Sequence, residues 1–382
     1  MSVQAVAAPS SAEDIRCLLI SPLASSPRGY TGEDAYTDAL LAGPPPGVRY
    51  SHHLSLLRQG LAGRHRLLGQ AVRHLDHIGL VPGLWFESIH CDCSFELVHL
   101  HGFTARLCGR TFAPGVPVIM SASGCGLEDL SGYQGWSPAA IRGYVRRASL
   151  MCRGLALYHP VLGLHRASRL VVWSEYARRL HLSWGVPDDK LRVVPPGLPK
   201  PALQANPGAD PVHLLFIGND FERKGGPILL DAFAHVRARF PNVELTVVSA
   251  QDIPSQPGLH HIRDVSRERL FRDVYPRSQI LVLPARAEGF GLVAIEAMSF
   301  GLPVIAAAVG ALPEIVAHES TGWVFADLTA DLLADRLTAL IRDPARRVAL
   351  GRAGRARFLQ HFAADSTGRE LREVYLEALR DG

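Results

Sequence analysis

A chain of 382 residues, 47% hydrophobic and 20% charged, has ordinary globular composition and the length for two domains with full cores. Those figures exclude disorder, collagen and small disulfide scaffolds, and an aromatic content of 7% that does not interleave with a basic stripe gives no support to nucleic-acid binding. The formal charge of +4 divides unevenly, since residues 1–200 hold 20 Lys+Arg against 14 Asp+Glu and the remainder holds 20 against 22; the basic first half suits an anionic substrate, a weak peripheral contact with an anionic membrane, or plain solvated arginine.

No window approaches 18 uninterrupted apolar residues, and residues 1–11 lack the basic start and apolar core of a signal peptide, so a soluble cytoplasmic protein is expected. The six cysteines, Cys17, Cys91, Cys93, Cys108, Cys125 and Cys152, contain no C-x-x-C pair and read as free thiols. In chain order, apolar runs at 17–20, 97–100, 118–120 and 170–172 read as strands between longer helical stretches. The run Val194-Pro-Pro-Gly-Leu-Pro-Lys-Pro201 and the polar stretch to Asp210 cannot continue a helix or a central strand, which places a domain boundary between residues 197 and 198. Beyond it the spacing predicts strands at 213–217, 243–248, 280–283 and 304–307 and helices at 227–240, 267–275 and 292–300. Helices at 345–360 and 363–379 close the chain, with residues 362–382 expected to return to the N-terminal domain (1–197) from the C-terminal one (198–361). Apolar strands alternating with helices mean parallel sheets covered on both faces. The fold class is therefore α/β, with two Rossmann-like, doubly wound domains facing across a cleft and the ligand at the carboxyl ends of the strands.

Two segments carry chemistry. In Ala287-Glu-Gly-Phe-Gly-Leu-Val-Ala-Ile-Glu-Ala-Met298, Gly289 and Gly291 let backbone N–H groups approach a ligand where a helix begins and favours an anion. Glu288 lies in that loop and Glu296 about one turn into the helix, and carboxylates beside a phosphate site are unfavourable unless they grip hydroxyls. That requirement points to a sugar: Glu296 suits a ribose diol and Glu288 a second ring. In Phe216-Ile-Gly-Asn-Asp-Phe-Glu-Arg-Lys-Gly-Gly-Pro227, Arg223 and Lys224 stand among Gly218, Gly225 and Gly226 at a helix entrance, as suits a diphosphate. Neither a dinucleotide G-x-G-x-x-G nor a Walker sequence is present.

The spacing Glu288-x7-Glu296, the turn Arg223-Lys224-Gly225-Gly226 followed by Leu229-Leu-Asp-Ala-Phe233, the loop Val309-Gly-Ala-Leu-Pro-Glu-Ile315 and the run Ser174-Glu-Tyr-Ala-Arg-Arg179 together resemble glycosyltransferase family 4, with the GT-B fold; the match is dense over residues 168–325. The resemblance implies a retaining glycosyltransferase that moves a sugar from a UDP- or GDP-sugar to a small-molecule, glycan or lipid acceptor, with no metal and no other cofactor. No D-x-D motif or histidine–carboxylate cluster offers a metal cage. By the family pattern Arg223, Lys224 and Glu288 are catalytic, the two cations neutralising the leaving diphosphate. Glu296 holds the ribose, and Gly218, Gly289, Phe290, Gly291, Leu292 and the stretch from Gly310 to Leu312 contact sugar and phosphates. The base is expected near residues 261–265, at Val265.

The N-terminal half matches less closely. Gly32 stands where the family has a glycine-rich loop under the diphosphate. His99 and His101 resemble the family's H-x-H at a strand end facing the cleft, or are core groups. Ser123 and Asn219 replace a family histidine and arginine. Trp85, Tyr133, Trp136 and Tyr144 are acceptor-groove or packing residues. A nucleotide-sugar-binding protein without catalysis, or another GT-B enzyme such as a nucleotide-sugar epimerase or a phosphorylase, are the rival readings.

Overall fold

The computed structural model describes residues 14–21, 32–54, 95–101, 115–123, 136–154, 167–263 and 265–381. They form two units, each on a six-stranded sheet in which every strand pairing is parallel.

The first unit takes the described residues up to Gly197, except Gly32, which is grouped with the second, and those from Thr367 onward. It runs β1 (Ile15–Ser21), α1 (Gly32–Ala42), β2 (Val48–Leu54), β3 (Leu97–His101), β4 (Val118–Ala122), α2 (Pro138–Gly154), β5 (Arg169–Val172), α3 (Glu175–Ser183) and β6 (Leu191–Val193), in the sheet order β2-β1-β3-β4-β5-β6. The interior strands are near-continuous apolar runs because both faces are covered: Leu18, Ile20, Val98, Leu100, Met120, Leu170 and Val172 share one core. Ser174 starts α3 by accepting the Ala177 N–H at 3.0 Å, a capping use of the Ser-Glu dipeptide noted in the sequence.

The second unit, Leu198–Ser366, runs β7 (His213–Ile217), α4 (Gly226–Arg239), β8 (Glu244–Val248), β9 (Leu259–Ile262), a short α5 (Arg267–Arg269), β10 (Ile280–Leu283), α6 (Leu292–Ser299), β11 (Val304–Ala307), α7 (Leu312–Ile315), β12 (Gly322–Phe325), α8 (Ala330–Arg342) and α9 (Pro344–His361). Its sheet order is β12-β11-β10-β7-β8-β9, the doubly wound order of dinucleotide-binding sheets. The helix expected over 267–275 is broken: α5 passes into a π turn, Leu270–Val274, and then a 3-10 turn, Tyr275–Arg277. Pro276 has no N–H to continue the ladder, so the segment ends by changing pitch.

The last helix, α10 (Ala364–Asp381), leaves its first turn with the second unit, so the expected boundary at residue 361 moves to Ser366. From Thr367 it belongs to the first, where Glu377 accepts from Arg192 at 2.7 Å and Tyr375 is buried. Cys17 is a buried free thiol, which raises its pKa. Cys91, Cys93, Cys108 and Cys125 lie outside the described residues.

Candidate functional site

In the second sheet the chain order reverses between β7 and β10, which lie side by side and lead to opposite edges. Loops leaving such a pair diverge and open a ligand crevice at the carboxyl ends of the strands. The loop after β7 carries Gly218, Arg223 and Lys224, and the loop after β10 carries Glu288, Gly289, Phe290 and Gly291, with Leu292 opening α6. Topology thus brings together two segments that are more than sixty residues apart in the chain.

Their side chains join as well. Lys224 Nζ forms an ion pair with Glu288 Oε2, and the two side chains are only 15% and 12% exposed. Arg223 is engaged differently. Its Nε donates to Asp220 Oδ2 at 3.1 Å and its Nη1 to the Ala287 carbonyl at 2.9 Å, while its own carbonyl accepts the Arg286 N–H at 2.8 Å. The expectation that both cations stand ready for a diphosphate therefore divides: Lys224 holds a carboxylate, and Arg223 laces the two loops together. Asp220, which also accepts the Arg223 N–H at 3.1 Å, was missed in the sequence, although an Asp three residues before the N–H it binds is a turn signal.

The backbones approach as closely as glycine allows. Gly225 has φ +79°, and a Cβ there would overlap the Pro284 carbonyl; Gly310, in the loop after β11, has φ +58°, and a Cβ there would overlap the Glu288 carbonyl. Helices α4 and α6 begin behind Gly225 and Gly291 with no side-chain cap. Their first-turn N–H groups therefore face the crevice end of the sheet with the polarity that favours an anion.

Glu296 is 7% exposed on the largely buried α6. Tyr275 donates to its Oε2 at 2.6 Å, and the Arg267 guanidinium lies 3.4 Å from its Oε1. Burial raises its pKa, and the Arg267 charge and the Tyr275 hydrogen bond oppose that rise only in part. Neither Tyr275 nor Arg267 was singled out in the sequence, because the broken helix hides their common direction. Val265 is half-buried after β9. His261 lies within β9 rather than beyond it, with Nε2 2.9 Å from the Ser249 carbonyl.

In the first unit the two histidines take the second of their two readings, that of core groups. Both are fully buried. His99 Nδ1 is 2.6 Å from the Tyr375 hydroxyl and its Nε2 2.7 Å from Ser121 Oγ, which also lies 2.8 Å from His101 Nδ1. The Tyr375 hydroxyl is 2.6 Å from that of Tyr50, and His101 stacks on Trp173. Burial lowers the His99 pKa to about 3, so its imidazole is neutral. Gly32 opens α1, and Ser123 is half-buried one residue past β4. Trp136 packs edge-on against the buried Tyr144 at 6.2 Å, the packing reading of that pair. Trp85 and Tyr133 lie outside the described residues. Among the described residues, no helix is long and apolar enough to cross a membrane.

The family model for glycosyl transferases group 1 matches residues 203–357. The chain is similar to the D-inositol 3-phosphate glycosyltransferase of Corynebacterium aurimucosum, 34% identical over 188 residues, covering 44% of each protein. Against the protein of the same name from Rhodococcus erythropolis the identity is 27% over 383 residues, covering 91% of this chain and 81% of that one. The chain spans about half the length of the first curated relatives it matches. Among solved structures, sucrose-phosphate synthase from Thermosynechococcus elongatus aligns with a TM-score of 0.63 at 19% identity, covering 96% of this chain and all of that one. Anabaena HepE, in complex with UDP and glucose, aligns at 0.61 and 14%, covering 94% and 99%. At these identities the structural likeness carries the fold alone.

Proposed function

We propose, from the match of residues 203–357 to the model for glycosyl transferases group 1 and a fold like that of solved GT-B glycosyltransferases, that the chain is a retaining glycosyltransferase using a nucleoside diphosphate sugar, without a metal. The observation that carries the reading is the Lys224–Glu288 pair at the point where the second sheet reverses, flanked by two uncapped helix N-termini. A diphosphate suits the helix termini and Lys224, whose ammonium has three donors and gives one to Glu288. A carboxylate in that position would repel the phosphates unless it accepts hydrogen bonds from hydroxyls. The transferred sugar, attached to the distal phosphate, supplies them.

In this reading the bond from the anomeric carbon to the diphosphate breaks while the acceptor oxygen bonds to that carbon on the same face. The acceptor proton passes to the departing phosphate oxygen, so no side-chain base is required. Negative charge grows on the diphosphate, and Lys224 with the helix N-termini stabilises it where it develops. Arg223 acts by holding the loops after β7 and β10 in register. The names of the relatives make D-inositol 3-phosphate the first acceptor to try, and the basic excess of the first 200 residues suits an anionic acceptor.

The test is to incubate the full chain with UDP- and GDP-sugars, with and without inositol phosphates and with excess chelator, and to follow product by NMR. An acceptor-dependent product that keeps the donor's anomeric configuration and forms in chelator is expected. An inverted product, or a metal-restorable loss in chelator, would overturn the mechanism. Donor binding with no transfer to any acceptor would support the alternative of a binding protein, which the serine at position 123 favours by removing an imidazole.

A further inference from the structure

Glu296 is a costly place for a charge, since it is 7% exposed on a helix whose neighbouring positions are buried. A buried carboxyl that takes up a proton becomes a donor on one oxygen and a poorer acceptor on the other, and a vicinal diol needs two acceptors. We propose that Arg267 and Tyr275 are positioning residues for Glu296, holding its carboxylate ionised and oriented so that it accepts both ribose hydroxyls of the nucleotide, a role that rests on the donor-site reading.

Two residues on one segment converge on one carboxylate. Tyr275 donates to Oε2 at 2.6 Å, and the Arg267 guanidinium is 3.4 Å from Oε1, which leaves lone pairs on both oxygens for further donors. In a regular α-helix, residues eight apart stand about 12 Å apart along the axis and roughly 80° apart around it. The π turn Leu270–Val274 between them changes both figures, and π turns recur at functional sites for this kind of reason. The clamp is itself braced. Arg267 lies over the Phe271 ring at 4.5 Å, Phe271 meets Tyr275 and Phe300 edge-on at 5.5 and 5.2 Å, and Tyr275 stacks on Phe300 at 4.9 Å. An arginine stacked on one aromatic ring keeps its charge and its direction.

Among the described residues, two further charged groups beside α6 are engaged elsewhere. Glu288, in the loop before α6, pairs with Lys224, and Arg355 on α9 donates to the Ser299 carbonyl. Among the described residues, Arg267 and Tyr275 favour the Glu296 charge, against a burial that raises its pKa.

The experiment is calorimetric titration of the full chain with UDP and GDP and with their 2′-deoxy counterparts, at about pH 6.5 and 8.5. The wild type should prefer the ribonucleotide by about 10-fold or more, the value of a hydrogen bond to a charged group. Arg267→Met, which keeps the packing over Phe271, should lose more of that preference at the lower pH than at the higher, because without the guanidinium the upward push of burial on the Glu296 pKa is less opposed. Arg267→Lys should retain it at both. Should Arg267→Met fail to fold, Tyr275→Phe carries the same expectation, since it also removes a group that favours the ionised form. A preference left unchanged in these variants, or an equal and pH-independent loss for both sugars, would overturn the role, because a structural defect does not distinguish ribose from deoxyribose. A wild type that binds nucleotides with no ribose preference overturns the role and leaves the donor site standing. A wild type that binds neither nucleotide overturns the donor site and the role with it.

Discussion

Lys224 is one of three lysines among 40 basic residues, and its position asks for an ammonium. On the donor-site proposal, a compact charge with three rotatable donors can serve Glu288 and two phosphate oxygens at once, whereas an arginine's donors are fixed in one plane. Lys224→Ala should lower kcat by about 100-fold or more while weakening donor binding less, because a cation matched to a leaving group acts most in the transition state. Steady-state kinetics with the true donor decide it, and wild-type turnover would remove Lys224 from that role. The residues of the site were legible to different degrees. Glu288 and Lys224 sit in glycine-rich loops, where a charge has few structural reasons to be. Arg223 read the same way, yet its side chain is engaged with Asp220 and the Ala287 carbonyl. Composition marks where a charge sits, and hydrogen bonding marks what it does.

Among the described residues, the strands named from the sequence are the eight interior ones, and the four that went unnamed, β2, β6, β9 and β12, are the edges of the two sheets. An interior strand is covered on both faces and reads as an apolar run; an edge strand such as Leu259–Ile262, with two histidines in four residues, does not. The π turn was illegible for a related reason: the 267–275 pattern fits a helix and Pro276 signals only where it ends, while the contacts with Phe300 and Glu296 exist only in the folded unit. Contact between loops belongs to this scale as well. Gly310→Ala forces the loops after β10 and β11 apart, because its φ is +58° and the added Cβ meets the Glu288 carbonyl. It should destabilise the second unit by about 2 kcal/mol or more and weaken nucleotide binding. Urea denaturation and titration with UDP measure both, and a variant of wild-type stability would show that the loops do not touch.

The two units should respond differently to acid. His99 is fully buried with its pKa lowered to about 3 from an ordinary 6.5, and His181, with its pKa lowered to about 4, adds the same sign. The unfolded chain binds protons below about pH 6.5 that the folded chain refuses, so stability rises with pH from about 3 to 6.5 and levels off above. Each histidine contributes a slope of at most about 1.4 kcal/mol per pH unit inside its window. Thermal unfolding of the full chain between about pH 5 and 8, with hydrogen exchange to locate the first region to open, should show the first unit failing first as pH falls. A first unit equally stable across that range would contradict a neutral His99. Tyr375→Phe, which removes the hydroxyl shared by Tyr50 and His99 at 2.6 Å each, should weaken the same unit by about 1 to 3 kcal/mol.

From the sequence alone came two α/β domains with a break near residue 197, the interior strands, and the expectation of a sugar-nucleotide chemistry centred on Lys224, Glu288 and Glu296. These follow from local causes: apolar runs, prolines that cannot continue a helix, and charges placed beside glycine. The tertiary structure decided which partners those charges take. It set Arg223 to lacing loops, closed Arg267 and Tyr275 on Glu296, and sank His99 and His101 into a core completed by the last helix, whose Tyr375 lies 276 positions away in the chain. A hydrogen bond over that separation leaves no periodicity to read, because its geometry exists only once the sheet has brought both ends together.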